Sequence, residues 1–153
     1  MCVTIPPFDP ATGLLPAGEH VAGWDEVQDW FGWNVWRRQL LDGLAEGLAI
    51  LAAAHCSRVW LNGSFVTTKE VPGDFDCVWS PIGVDRARIT ALAPEILDLS
   101  NHRAAQKLRF RGEFFPNIVE SASTKRFADF FQLDRDGTTK GIVVLDPTQE
   151  VWE

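Results

Sequence analysis

The chain has 153 residues, 46% of them apolar, and its 14 basic and 21 acidic residues give a formal net charge of −7. This length suffices for one hydrophobic core and is too short for two. The excess of acidic residues excludes a surface that holds nucleic acid mainly by neutralising phosphates, so we expect no bulk DNA binding. A local basic patch is compatible with this net charge.

The cysteine usage and the hydropathy pattern indicate the cellular compartment of the protein. Cys2, Cys56 and Cys77 are odd in number and form no Cys-x-x-Cys pair, which favours neither a disulfide framework nor a zinc ribbon. No apolar run approaches the roughly 20 residues of a membrane span, and the proline-broken N-terminus is not typical of a signal peptide. We therefore expect a reducing, cytoplasmic setting and no membrane contact.

The first third of the chain predicts a leader and two helices. Residues 1–22 are rich in Pro and Gly and predict an extended leader across the core of a single domain formed by residues 23–153. Residues 24–31 predict a short helix. Apolar side chains at three- and four-residue steps predict a longer helix over residues 34–55, capped by Asn34. Within it, two glycines would let another backbone approach closely, at positions 43 and 47.

The remaining elements alternate between strands and helices. The run "RVWLN" predicts a strand over residues 58–62, and the alternating "DFDCVW" predicts a second over residues 74–79, after a Pro-Gly turn. The later elements are a helix over residues 85–99, capped by Asp85 and broken at Pro94, a strand over 108–115, a helix with Phe127, Phe130 and Phe131, and a strand over 141–146. This order predicts an α/β (α+β) fold with a mixed, mostly antiparallel sheet flanked by helices.

The second predicted strand carries two carboxylates on one face. Side chains two residues apart in a strand point the same way, which places the Cα atoms of Asp74 and Asp76 about 6.5 to 7 Å apart. Adjacent carboxylates repel each other unless a cation lies between them. Mg²⁺ or Mn²⁺ fits because such an ion takes one or two carboxylates and borrows further ligands from substrate phosphates.

The end of the first predicted strand supplies a complementary group of donors. Gly63 permits a sharp backbone turn, which leaves Ser64 and the neighbouring amides free to hold phosphate oxygens. Carboxylate-bound metal on one side and amide donors on the other describe a nucleoside triphosphate (NTP) site. Nucleotidyl transfer requires this arrangement, because metal ions neutralise the phosphates and orient the attacking hydroxyl.

An apolar strand, Gly63-Ser64, nine residues and then Asp74-Phe75-Asp76 form a pattern that resembles the signature of the nucleotidyltransferase superfamily related to DNA polymerase beta. The segments "LPAGEH", "WLNGSFVTTKEVPGDFD" and "KGIVVLD" are similar to a family of small nucleotidyltransferase-like proteins of bacteria and their phages, which has no settled substrate. This similarity covers most of the chain and implies the minimal nucleotidyltransferase type of fold.

The resemblance also implies a third acid on a later strand. Glu113, within "RFRGEFFP", is the candidate for this third acid. The family that the chain resembles prefers Asp at this position, so Glu113 departs from the family pattern. For phosphate contact we single out Lys69, in the segment between the two motifs, and Lys140, in a segment similar to the family. The basic segment 102–111 could receive an acceptor such as RNA, or it could be a solvated helix face.

By this resemblance, the function is Mg²⁺-dependent transfer of a nucleoside monophosphate from an NTP to a hydroxyl of a protein or RNA. Asp74, Asp76 and Glu113 would be the catalytic and metal-binding residues, and Gly63, Ser64, Lys69 and Lys140 would bind the nucleotide phosphates. Small enzymes of this type often belong to toxin–antitoxin pairs, so the resemblance permits a cognate partner protein. The alternative is a catalytically inactive protein of the same fold that binds a partner as an antitoxin-like module.

Overall fold

The computed structural model describes residues 5–118, 126–130, 132 and 139–152. These ranges contain five α-helices and one five-stranded sheet, which confirms the expected mixed α/β fold. No helix within them combines the length and the apolar character that a membrane crossing requires.

The sheet mixes parallel and antiparallel pairs. Its strands lie in the order β1-β5-β2-β3-β4, with β2 antiparallel to β3 and to β5, β1 parallel to β5, and β3 parallel to β4. The four pairings therefore divide equally between the two kinds, so the sheet is mixed as expected but not mostly antiparallel, as the sequence analysis had it. The strands are β1 (Gly18–Val21), β2 (Val59–Asn62), β3 (Phe75–Trp79), β4 (Gly112–Pro116) and β5 (Gly141–Leu145).

The structure contains the helices that the sequence predicts and one further helix, Ser100–Phe110. They are α1 (Trp24–Phe31), α2 (Val35–Ala53), α3 (Arg86–Leu92), α4 (Ser100–Phe110) and α5 (Phe127–Phe130). Asn34 caps α2 by accepting a hydrogen bond from the Arg37 amide at 2.8 Å, and Asp85 caps α3 in the same way. The helix predicted over residues 85–99 is interrupted at Pro94, which begins a separate 3-10 turn. Phe131 lies outside the described residues.

Two segments differ from the prediction. Residues 18–21, which were assigned to the leader, form the edge strand β1, and residues 108–110 close the helix α4 instead of opening a strand. The alternation of "LRFR" also fits a helix, because Gln106 and Phe110 are buried four residues apart while Leu108 is 89% exposed. Arg111 then adopts a left-handed conformation, with φ 65°, and the strand β4 begins at Gly112.

The sheet has two different faces. Helices α1 to α4 and residues of the N-terminal leader, such as Ile5 and Leu15, cover one face, which holds the larger core. There the missing side chain of Gly43 admits the carbonyl of Phe110, which confirms the expected close approach of another backbone, whereas Gly47 admits a side chain, the ring of Phe114. The opposite face, called the second face below, carries a smaller cluster formed by Trp60, Val78, Phe115, Ala128, Ile142 and Val144.

Candidate metal centre

A row of polar residues crosses the second face at one end of the sheet. Asp76 on β3 is the register partner of Asn62 on β2 and of Glu113 on β4, so the three side chains project from the same face. Asp74 directly precedes β3. The carboxylates of Asp74, Asp76 and Glu113 each offer an oxygen, and these three oxygens lie within 4.8 Å of one another. The structure thus brings together the three acids that the sequence singled out.

Gly63 makes room for this cluster. Gly63 follows β2 with φ 79° and ψ −168°, a backbone conformation that residues with a side chain rarely adopt. A Cβ atom at this position would overlap the Oδ2 atom of Asp76. Glycine is therefore required both by the turn of the backbone and by the space that the Asp76 carboxylate occupies. Ser64 starts a 3-10 turn, Ser64–Val66, immediately beyond it.

Arg37 holds the segment that follows this turn. Its buried guanidinium donates to the carbonyl of Phe65 at 2.7 Å, to that of Thr67 at 2.7 Å, and to that of Lys69 at 2.7 Å and 3.1 Å. A further bond at 3.1 Å reaches the Phe31 carbonyl at the end of α1. The start of α2 thereby fixes the backbone between Gly63-Ser64 and the acidic pair.

Two neighbours of Arg37 extend this contact along the same segment. The Asn34 side chain donates to the Glu70 carbonyl at 2.8 Å, and the Trp36 indole donates to the Pro72 carbonyl at 2.5 Å. Burial lowers the pKa of Arg37 to about 10, against the opposing effect of Glu70. The guanidinium therefore stays charged at neutral pH while it donates hydrogen bonds to backbone oxygens.

Glu113 is engaged by two cations from α4. The Nε atom of Arg103 lies 2.8 Å from Oε2, and the Nζ atom of Lys107 lies 3.1 Å from Oε1. The Glu113 side chain is only 12% exposed, so these pairs are poorly screened by water. Arg103 also lies over the ring of Phe115, with Cζ 5.1 Å from its centroid, and belongs to a left-handed stretch formed by residues 101–103.

The other two carboxyl groups have raised pKa values. Burial raises the pKa of Asp76 to about 7, the charges of Asp74 and Glu113 add to this effect, and Lys140 and Arg103 oppose it. The pKa of Asp74 is raised by burial first, and then by the charge of Glu113 and a hydrogen bond with it. A cation bound between these groups would offset both causes of the raised pKa values, the burial of the charged carboxylates first and their mutual repulsion second.

The basic residues singled out from the sequence lie in different surroundings. Lys140 precedes β5 and acts electrostatically on Asp76. Lys69 is exposed, and its described contacts are made by its backbone. Sequence reasoning treated Arg103 and Lys107 only as part of the basic segment 102–111. Because Arg103 belongs to the left-handed stretch 101–103, regular helical spacing does not account for their meeting at Glu113, and no local sequence signal could have paired them.

The donor set fits a hard divalent cation. Opposite ligands of an octahedral Mg²⁺ lie about 4.1 Å apart and adjacent ones about 3 Å, so three oxygens within 4.8 Å of one another could converge on one ion after shifts on the order of 1 Å. Asn62 adds a second observation: its side chain is fully buried beside Asp76, and its Oδ1 atom has no hydrogen-bond partner in the part of the chain that the structure describes. Three carboxylates and an unpaired amide oxygen are the ligand types that Mg²⁺ and Mn²⁺ prefer.

Comparison with known proteins gives a family without an assigned activity. No curated protein and no solved structure matches the chain. A family profile matches residues 6–146, a range that includes all the acidic and basic residues of the candidate site. The chain therefore belongs to DUF6932, a family of unknown function.

Proposed function

We propose that this protein is a Mg²⁺- or Mn²⁺-dependent nucleotidyltransferase, which moves a nucleoside monophosphate from an NTP to a hydroxyl of a protein or RNA and releases pyrophosphate. The observation that carries the proposal is the convergence of Asp74, Asp76 and Glu113 within 4.8 Å, beside a glycine that leaves space for Asp76. Clustered carboxylates next to a backbone turn suit a reaction in which the protein mainly positions charged groups.

Each residue has a defined task in this reaction. Asp74 and Asp76 would hold the metal, and Glu113 would serve as the third ligand or as the base for the acceptor hydroxyl. The bound metal supplies neutralisation of the phosphate charge. Ser64 and the amides after Gly63 would hold phosphate oxygens in the segment that Arg37 fixes. Lys140, which already acts on Asp76, is better placed for phosphate contact than Lys69.

The expected setting is a reducing cytoplasm, which the buried free thiols Cys56 and Cys77 support. The NTP is the small-molecule partner. The acceptor, a protein or an RNA, would approach the end of the sheet where the three acids lie, because the apolar cluster on the second face is itself buried, with Val78 and Ile142 at 0% exposure. A cognate partner protein, as in toxin–antitoxin pairs, belongs to the same proposal.

One observation favours a second candidate function. Both oxygens of Glu113 are already paired, with Arg103 and with Lys107, which gives the acidic cluster internal counter-charges. A protein that had lost catalysis could retain such pairs for stability and use the fold to bind a partner. The two candidates differ in one measurable property, since only the enzyme binds a divalent cation and an NTP.

The test is calorimetric titration with Mn²⁺, followed by each of the four NTPs in the presence of Mg²⁺. The enzyme predicts Mn²⁺ binding that Asp76→Asn weakens at least about tenfold, because one ligand and one negative charge are removed. Asp29→Asn, an exposed acid on α1, is the matched control and should bind as the wild type does. Incubation with labelled NTPs and cell lysate would then identify the acceptor. An absence of heat with Mn²⁺ and with every NTP would overturn the enzyme and leave the partner-binding candidate.

A further inference from the structure

The basic segment on α4 divides into two groups with different surroundings. Arg109 bridges Glu46 and Glu95, both at 3.1 Å, on the helical side of the molecule. Arg103 and Lys107 instead reach the second face and meet Glu113. These two residues, called the α4 cations below, therefore belong to the candidate metal centre, whereas Arg109 does not.

The α4 cations retain donors for another ligand. Arg103 uses only its Nε atom on Glu113, and its two terminal nitrogens have no hydrogen-bond acceptor among the residues that the structure describes. Lys107 contacts Glu113 with one of its three donors, and its side chain is 41% exposed. A guanidinium with two open nitrogens and a neighbouring ammonium form a site for an anion with several oxygens.

The charge balance indicates when that anion would bind. Without metal, the carboxylates of Asp74, Asp76 and Glu113 face three cations, formed by the α4 cations and Lys140. A divalent cation that binds the carboxylates competes with the α4 cations for Glu113 and adds positive charge to the site. The uncompensated positive charge then favours an anion of high charge density at the same place.

We infer that the α4 cations are the triphosphate-binding groups of this site, and that they pass from Glu113 to phosphate oxygens when a divalent cation binds the carboxylates. This inference rests on the proposed function and assigns its substrate-binding side chains. The reach is short: Lys107 lies 3.1 Å from a carboxylate oxygen, and a phosphate oxygen on a metal held there would lie about 3 to 4 Å from that same oxygen.

The exchange of partners predicts effects of opposite sign for Lys107→Gln. Without the competing ammonium, Mn²⁺ alone should bind about three- to tenfold more tightly, because Glu113 becomes more available. Inorganic triphosphate, titrated in the presence of Mn²⁺, should bind at least about tenfold more weakly, because a charge-assisted hydrogen bond to phosphate is lost. A residue with a merely structural role would weaken both.

Arg109→Gln is the matched control, since it removes a cation of the same helix that pairs with Glu46 and Glu95 and should change neither affinity. A thermal melt of each variant shows that it is folded. If Lys107→Gln changes both affinities in one direction, or leaves triphosphate binding unchanged while Asp76→Asn abolishes Mn²⁺ binding, the inference is wrong and the metal site stands. If the wild type binds neither Mn²⁺ nor triphosphate, the proposed function fails, and this inference fails with it.

Discussion

Asp76 and Glu113 are register partners on the parallel strands β3 and β4, and both side chains project from the second face of the sheet. Neighbouring strands lie about 4.8 Å apart, so the sheet itself fixes the separation of these two acids. Asp74 is held differently, because it precedes β3 and follows the segment that Arg37 fixes. The candidate site thus combines two acids set by strand register with one set by the preceding segment.

Gly63→Ala should destabilise the fold and abolish metal binding. The backbone conformation of Gly63, with φ 79° and ψ −168°, costs about 1–3 kcal/mol for a residue with a Cβ atom, and that atom would also displace the Asp76 carboxylate. Urea denaturation and Mn²⁺ calorimetry measure the two effects. Gly73→Ala is the matched control, because a Cβ atom there meets nothing within 4 Å, and its stability should stay within about 0.5 kcal/mol of the wild type. Equal behaviour of the two variants would contradict the role assigned to Gly63.

Asp76→Asn should be more stable than the wild type at pH 8 and equally stable at pH 4. The pKa of Asp76 is raised from 3.8 to about 7 in the folded protein, so between these values the folded state keeps a proton that the unfolded chain releases. Wild-type stability therefore falls as pH rises from about 4 to 7 and is level above 7. The difference at pH 8 should be about 4 kcal/mol, since each pKa unit between 3.8 and about 7 corresponds to about 1.4 kcal/mol. Urea denaturation measures it, and Asp29→Asn, which removes an exposed acid on α1, is the control variant.

Mn²⁺ affinity should fall as pH is lowered below about 7. Protons compete with the metal for Asp76, whose pKa is about 7, and for Asp74, whose pKa is also raised. Well below the Asp76 pKa, the apparent affinity should drop about tenfold per pH unit for one competing proton. Calorimetry between pH 5.5 and 8.5, in buffers with different ionisation enthalpies, should also record proton release on binding below pH 7. A flat affinity profile would place the metal elsewhere.

Glu113→Gln should weaken Mn²⁺ binding at least about tenfold while it lowers stability by no more than about 1 kcal/mol. The substitution removes a negative ligand, but the cations it leaves behind are partly exposed, at 27% and 41%, and can be solvated. Glu46→Gln, which removes a partner of Arg109 outside the site, is the control and should leave Mn²⁺ affinity unchanged. Thermal melts with and without Mn²⁺ give both quantities.

Arg37→Lys should destabilise the protein by about 3 kcal/mol. A lysine cannot serve the four carbonyls that the guanidinium now reaches, and buried oxygens would lose their partners. Arg38→Lys is the control on the next position of the same helix, since the Arg38 side chain is exposed and makes one hydrogen bond to the described residues, with the Gly32 carbonyl. The urea midpoints of the two variants decide this prediction, and Mn²⁺ titration of Arg37→Lys would show whether the segment must stay fixed for binding.

The local elements and the acidic pair could be predicted from sequence because their signals are short-range. Helical periodicity with Asn34 as a cap gave the long helix α2, and strand alternation placed Asp74 and Asp76 on one side. Glu113 was identified from its position in a run before Phe114, and the structure places it beside Asp76. This placement agrees with the third acid that the resemblance implies.

The features that the sequence analysis did not predict depend on contacts between segments that are distant along the chain. The strand β1 is four residues long and gains its hydrogen bonds only from β5, more than a hundred residues away, so its local pattern carries little signal. The pairing of Arg103 and Lys107 with Glu113 requires that α4 reach the second face, which no local pattern fixes. No local pattern marks Arg37 for burial, because most of its carbonyl partners lie about 30 residues further along the chain.

The two faces of the sheet have a consequence for how such a protein can diverge. The larger core and the carboxylates lie on opposite faces, and they are connected through Arg37 on α2, which holds the segment before Asp74, and through the α4 cations, which pair with Glu113. Substitutions in the larger core away from these three residues can therefore accumulate without moving the acids, whereas a change at any of the three alters the packing and the candidate site together.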